Sequence, residues 1–207
     1  PTLKARLLQI ALERDAPHGV LHAAALARDD GTLLLPAPTG FGKSTLAAGL
    51  ARSGGGRLVA DDLVPLGRAG ASVRALPTAV CLKEGAWRLL RSLAPDLDEQ
   101  PIFIRQDGKH VRYLQPETGA RNRYNESVPP VRWIVFPSHA PDATPRLVRL
   151  PSQAGVARLL TQFFSRSGRL EPPHLDRIIA LAGRASCYDL EVGTLDQGIA
   201  LVRGLTR

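Results

Sequence analysis

Methionine is absent from this 207-residue chain, and cysteine and aromatic side chains are scarce: two Cys, two Trp, three Tyr and five Phe. Two cysteines cannot frame a disulfide-stapled secreted scaffold. Cys81 and Cys187 each lie in an apolar stretch. Buried free thiols in a reducing compartment are expected, with a single bridge between them as the alternative. No apolar run approaches the roughly 20 residues that span a bilayer. Residues 3–12 are interrupted by Lys4, Arg6 and Gln9, so no signal peptide is expected there. A chain that starts at Pro1 without Met is expected to have lost its initiator by excision or trimming. Together these point to a cytoplasmic protein with no membrane partner.

Acidic residues are also in deficit: 19 Asp and Glu against 27 Lys and Arg give a formal charge of +8. The arginines are scattered, as at Arg57, Arg74, Arg88, Arg105 and Arg112, and not gathered into an arm or helix face. No recognition-helix or zinc-finger pattern accompanies them, so nucleic acid is not expected as a partner. The surplus fits a nucleotide and an anionic or acidic partner, or simply a genome that uses Arg freely. A hydrophobic content of 44% over this length supports one domain with a sizeable core. Residues 1–19 read as an N-terminal arm or helix and residues 20–207 as the domain.

Residues 37–45 read Ala37-Pro38-Thr39-Gly40-Phe41-Gly42-Lys43-Ser44-Thr45. This is a phosphate-binding loop with Ala for its usual first Gly. Gly40 and Gly42 let backbone N–H groups close around phosphate oxygens. Lys43 supplies a point charge to the β- and γ-phosphates, and Ser44 a hydroxyl to Mg²⁺. The apolar run Thr32-Leu33-Leu34-Leu35 precedes the loop as a buried strand would. Leu46, Ala47, Leu50 and Ala51 follow at helical spacing before Gly54-Gly55-Gly56. Strand, glycine loop and helix are the order the motif requires. Pro38 to Thr45 are thus the candidate nucleotide-binding residues.

Around this centre, residues 20–28 read as one strand, paired antiparallel with residues 32–36 across an Asp30-Gly31 turn. Short strands are expected at 57–60, 63–66 and 72–76, and a helix over 84–93. A second hairpin is expected at 102–105 and 110–114. Residues 116–130 show no periodicity and read as a long loop. Strands over 131–136, 146–150 and 187–191 alternate with helices. One helix is expected to be capped by Ser152, and one over 172–182 to be stopped by Gly183. The last opens on a Thr194–Gln197 capping box. The predicted fold is α/β, a mixed sheet with antiparallel hairpins flanked by helices.

A phosphate-binding loop needs a carboxylate for Mg²⁺, and transfer to a hydroxyl needs a proton acceptor. Leu58-Val59-Ala60-Asp61-Asp62 supplies both acids after an apolar strand, whereas residues 131–136 run into Pro137-Ser138-His139. Adjacent strand residues point to opposite faces, so both acids serve one site only if the strand ends and the chain turns there. The alternative is a solvated Asp pair in a turn. His22 lies among Ala and Leu, where a histidine is more often a packed core residue than a catalyst.

The order of His in Leu21-His22-Ala23, a Gly31 hairpin, a Gly-Lys-Ser-Thr loop and Leu-Val-Ala-Asp-Asp resembles the HPr serine kinase/phosphorylase family. The segment 76–83, Leu-Pro-Thr-Ala-Val-Cys-Leu-Lys, is similar to one in HPr-kinase-related proteins. The likeness spans residues 20–83. Thr45, where HPr kinases proper often carry Glu, directs it to the related branch that includes kinases modifying Ser of precursor peptides such as lasso peptides. The resemblance implies a phosphate site built like that of phosphoenolpyruvate carboxykinase. Lys43 would lie on the phosphates, with His22 as a helper near the γ-phosphate. Asp61 or Asp62 would be the base, and Ser44 with Asp62 the metal ligands. It implies ATP or another phosphoryl donor, Mg²⁺, a protein or peptide acceptor Ser, and a homo-oligomer. Of the basic residues Lys83, Arg105, Lys109, His110 and Arg112, it singles out Lys83 or Lys109. A small-molecule kinase and a non-catalytic nucleotide-binding regulator are the alternatives.

Overall fold

The computed structural model describes residues 13, 18–67, 72–115, 126 and 128–205. The expected N-terminal helix and most of the long loop, with Arg121, Arg123 and Tyr124, lie outside the described residues.

A six-stranded mixed sheet is the frame. Its order is β10 (Arg146–Leu150), β12 (Ser186–Val192), β9 (Val131–His139), β3 (Gly31–Pro36), β2 (Ala23–Arg28) and β4 (Arg57–Ala60). Strands β3, β9 and β12 run parallel, and the outer strands pair antiparallel. The period-2 alternation of strands divides the core. Leu33, Leu35, Trp133 and Val135 pack against Leu46 and Leu50 of α1 (Lys43–Arg52) and Ile199 and Val202 of α5 (Leu195–Arg203). Leu34, Ile134 and Phe136 face the other way. They meet Leu159 of α3 (Ser152–Leu160) and Ile178 and Leu181 of α4 (Pro172–Arg184). Leu33, Leu34 and Leu35 are fully buried, and each contributes about 1.5–3 kcal/mol of apolar transfer. That run fixes β3 in the middle and delivers the loop after it to the sheet's edge.

The hairpin forms as expected, but its turn is Asp29-Asp30, because Arg28 pairs with Gly31. Gly31 is needed for a different reason: a Cβ there would lie 2.1 Å from Cγ of Arg132. The strand expected over 20–28 is broken. Val20–Leu21 (β1) pairs with Val64–Pro65 (β5) and Phe163–Phe164 (β11) in a separate small sheet, while Ala23 onward joins the main one. His22 stands at the crossing, its N–H bonded to the Gln162 carbonyl at 2.7 Å. The expected strand over 63–66 shrinks to β5, and residues 72–76 form isolated bridges, Leu66–Val73 and Ala60–Leu76 among them, in place of a strand.

A third sheet, β6 (Val80–Lys83), β8 (His110–Leu114) and β7 (Phe103–Ile104), packs with α2 (Glu84–Leu90). Val80, Leu82, Leu90 and Leu114 cluster with Ala48 of α1, which seats this layer over the glycine loop. Two helix ends differ from expectation. Ser152 is the first residue of α3, with Pro151 in the cap position and no side-chain cap. Gly183 lies within α4, which runs on to Arg184 before Ala185 turns extended. The Thr194–Gln197 box forms, with Gln197 N–H donating to Thr194 Oγ1 at 3.3 Å. Among the described residues no helix is long and apolar enough to cross a membrane.

Candidate functional site

The segment after β3 turns through Gly40 (φ 99°) and Gly42 (φ 85°), both in the left-handed region where a side chain is strained. A Cβ at either would meet no atom within 4 Å, so the space over the loop is open. Gly42 caps α1 without a side-chain hydrogen bond. The first N–H groups of the helix therefore face that space with the positive end of the dipole behind them. Lys43, the first helical residue, is only 5% exposed.

Its charge is held by the acids the sequence singled out. Lys43 Nζ lies 3.5 Å from Asp61 Oδ1 and 3.5 Å from Asp62 Oδ1. The convergence depends on a local turn. Strand β4 ends at Ala60, and Asp62 takes φ 71°, a left-handed conformation costing about 1–2 kcal/mol in a non-glycine residue and tolerated best by Asn and Asp. The turn brings the two acids to one side, the condition set by strand geometry. They are not equivalent. The Asp61 side chain is 2% exposed and accepts from Ser44 Oγ at 2.9 Å; that of Asp62 is 35% exposed. Asp62 Oδ1 also meets His22 Nε2 at 3.0 Å. Both acids thus reach the start of α1 through Lys43, and Asp61 also meets Ser44 there.

His22 is neither an isolated core residue nor a free one. Its Nδ1 faces Gln162 Oε1 at 3.3 Å, while Nε2 faces a carboxylate. Both partners accept in this amide orientation, so a neutral ring donates to one of them and an imidazolium to both. Gln162, only 7% exposed, grips His22 by backbone and side chain, and its own amide donates to Thr161 Oγ1 at 2.9 Å. Nothing in the sequence marked it: it is 140 positions from His22, in the turn just before the two-residue strand β11. Gln162→Leu keeps the backbone bond and removes the ring's acceptor. A loss of about 1 kcal/mol is expected, read as a lower urea midpoint at unchanged slope.

His22, Lys43, Ser44, Asp61 and Asp62 line a cavity of about 210 Å³, with Pro38, Thr39, Thr45, Lys83 and Arg105 also on its wall. Cys81 lines it too, so this thiol is half-buried and not the core group expected. Both cysteines are free, and burial pushes the Cys187 thiol pKa up. Lys109, His110 and Arg112 are not on that wall. Lys109 lies 3.5 Å from Asp107 Oδ2 and His110 3.5 Å from Glu84 Oε2. Arg112 stacks 4.5 Å over Trp87 and pairs with Asp98. The hydrogen bond from Arg112 holds the Asp98 carboxyl below its usual pKa against an opposing burial effect, with Arg91 adding to the lowering.

No group of three His, Cys, Asp or Glu that could hold a metal occurs among the described residues. Ser44 and Asp61 nevertheless place two hard oxygens together beside the open loop. Mg²⁺ takes one or two protein oxygens and completes its octahedron with water and phosphate, so the residues fit that ion when a polyphosphate shares it.

No family model and no curated protein matches the chain. Among solved structures it is similar to the HPr(Ser) kinase/phosphatase from Coxiella burnetii, at 11% identity and a TM-score of 0.37, over 88% of this chain and 91% of that one.

Proposed function

We propose that the chain is a Mg²⁺-dependent kinase that transfers the γ-phosphoryl group of ATP to a Ser hydroxyl of a protein or precursor peptide. The observation that carries this reading is the single ammonium of Lys43 standing 3.5 Å from each of two unlike carboxylates at an uncapped helix start. Glycine-loop amides and Lys43 would grip the phosphates. Ser44 and Asp61 would hold Mg²⁺, which when bound neutralises phosphate charge.

Exposure separates the two acids. Asp62 at 35% is far more open to an incoming alcohol than Asp61 at 2%. Asp62 is therefore the base. It takes the serine proton as the serine oxygen bonds to the γ-phosphorus. The bond from that phosphorus to the bridging oxygen breaks, and ADP leaves. His22 steadies Asp62 through Nε2, and Lys83 and Arg105 add positive charge to the wall. Catalysis is then mostly positioning and charge neutralisation.

The test is a transfer assay with γ-labelled ATP and Mg²⁺ against Ser-containing peptides and hydroxyl metabolites, read by mass spectrometry. Phosphoserine on a peptide is the expected outcome. Label on a metabolite alone would make the protein a small-molecule kinase, and binding without turnover of any acceptor would make it a regulator.

A further inference from the structure

We propose that the acceptor is an extended peptide segment, bound as an added strand along the free edge of β7 with its serine turned toward the phosphate cavity. This rests on the kinase reading of the loop, and adds to it the conformation and side-chain pattern of the substrate. Strand β7 is the last of the third sheet, which runs β6, β8, β7. Its neighbourhood is apolar and uncovered: Ile102, Phe103 and Ile104 are 54%, 48% and 70% exposed. The other large apolar side chains exposed among the described residues stand singly along the chain. Sheet edges are ordinarily blunted by charge, proline or a bulge, because open strand backbone beside apolar side chains recruits another chain. Here the backbone is open too. Arg105 N–H bonds to the Lys109 carbonyl at 3.0 Å, and Ile104 is paired with His110. The alternation of an antiparallel ladder then points the Ile104 N–H and C=O away from β8, toward the open edge.

Register ties this edge to the cavity. Phe103 and Lys83 both pair with Val111, and Cys81 pairs with Tyr113, whose ring meets that of Phe103 edge-on at 5.5 Å. Side chains alternate along strands, so Cys81, Lys83, Phe103 and Arg105 share one face of the sheet. Cys81, Lys83 and Arg105 line the phosphate cavity, which makes this face part of its wall. A segment added beside β7 contributes every second side chain to the same face. A serine at such a position is turned to the side on which the cavity lies.

Two features select a peptide over a second copy of the chain. One is size. Three partly covered side chains fall well short of the roughly 800 Å² per partner of a stable protein interface. They suit a short segment held mainly by main-chain bonds, as in strand addition. The other is charge. Lys83 and Arg105 make the shared face cationic, which an acidic segment complements and a second copy of a chain of charge +8 does not. The favoured segment therefore alternates: acidic side chains on the serine's face, and β-branched apolar ones on the face of Ile104.

A degenerate library of Ser-centred nonapeptides, incubated with ATP and Mg²⁺ and read by mass spectrometry, tests this. Val, Ile and Thr are expected at odd positions from the phosphorylated Ser, Asp and Glu at even ones, and Pro beside the Ser in none. Ile104→Pro is the decisive variant. Its ring removes the outward N–H, while the bond of Arg105 to Lys109 on the β8 side stays. For a peptide taken from the enriched set, KM should rise about tenfold, the scale of one hydrogen bond, with kcat and ADP affinity kept. Should Ile104→Pro fail to fold, the same peptide N-methylated at alternate amides must show the effect on the wild-type chain: one alternate set is needed and the other is not. Labelled peptides without the alternation, or a KM indifferent to both Ile104→Pro and N-methylation, overturn the inference and leave a peptide kinase. A wild-type dimer in light scattering that Ile104→Pro dissociates at unchanged KM also overturns it, and gives the edge to a second copy. If no peptide is labelled, the peptide-kinase reading falls, and the inference with it.

Discussion

Asp62→Asn is expected to bind ADP as the wild-type chain does and to transfer phosphate about 10²- to 10⁴-fold more slowly, the span associated with a lost general base. Asparagine is the informative replacement because residue 62 sits at φ 71°. Asn enters the left-handed region about as readily as Asp, so the turn that carries the site is kept. What is removed is a charge and a proton acceptor, not a fold. Asp62→Gly is the companion: it relieves the backbone strain, so it should be at least as stable as Asp62→Asn, and equally slow. Calorimetry for binding, single-turnover kinetics for transfer and urea titration for stability give the three readings. Transfer at the wild-type rate in Asp62→Asn would remove the base from this position. Asp61→Asn should behave differently: its effect should fall mainly on the Mg²⁺ concentration needed for turnover, since Asp61 and not Asp62 accepts from Ser44.

How far the sequence revealed this site depended on distance along the chain. The glycine loop was legible because its chemistry is written in consecutive residues. The acid pair was legible as a strand ending. Its convergence was not, because that depends on the dihedral of one residue. The difference in exposure between Asp61 and Asp62, on which the proposed roles rest, is encoded by no local pattern. His22 read equally well as core packing. Its place beside Asp62 emerges only where β1 and β2 part into different sheets and Gln162 arrives from β11's edge, by pairing too short to carry a periodic signal. In the fold, the continuous apolar runs Leu33-Leu34-Leu35 and Trp133-Ile134-Val135 lie in strands buried on both faces, as an unbroken apolar strand leads one to expect. Punctuation signals did less well. Gly31 reads as a turn glycine but serves close packing on Arg132, and Gly183 reads as a helix stop but lies inside α4. At Gly31 a tertiary contact overrode the turn preference, whereas at Gly183, where a Cβ meets nothing within 4 Å, the helix simply runs one residue further.

Lys43→Ala separates binding from stability. With the ammonium gone, the ADP dissociation constant should rise about 10- to 100-fold, the worth of a hydrogen bond to a charged group. The folded protein should also weaken, because Asp61 is left nearly buried without its cation. Breaking a buried ion pair from one side costs about 3–5 kcal/mol. The lower end applies here because the cavity admits water and Ser44 still donates to Asp61. Asp62, being partly exposed, adds little to that cost. The double variant Lys43→Ala/Asp61→Asn removes the stranded charge, so urea stability should largely return while ADP affinity stays low. That non-additivity is the signature of a cation with two tasks: it holds the acids together in the empty site and meets phosphate in the filled one. If affinity returned with stability in the double variant, Lys43 would be a structural counter-ion alone, and the phosphate grip would belong to the loop amides.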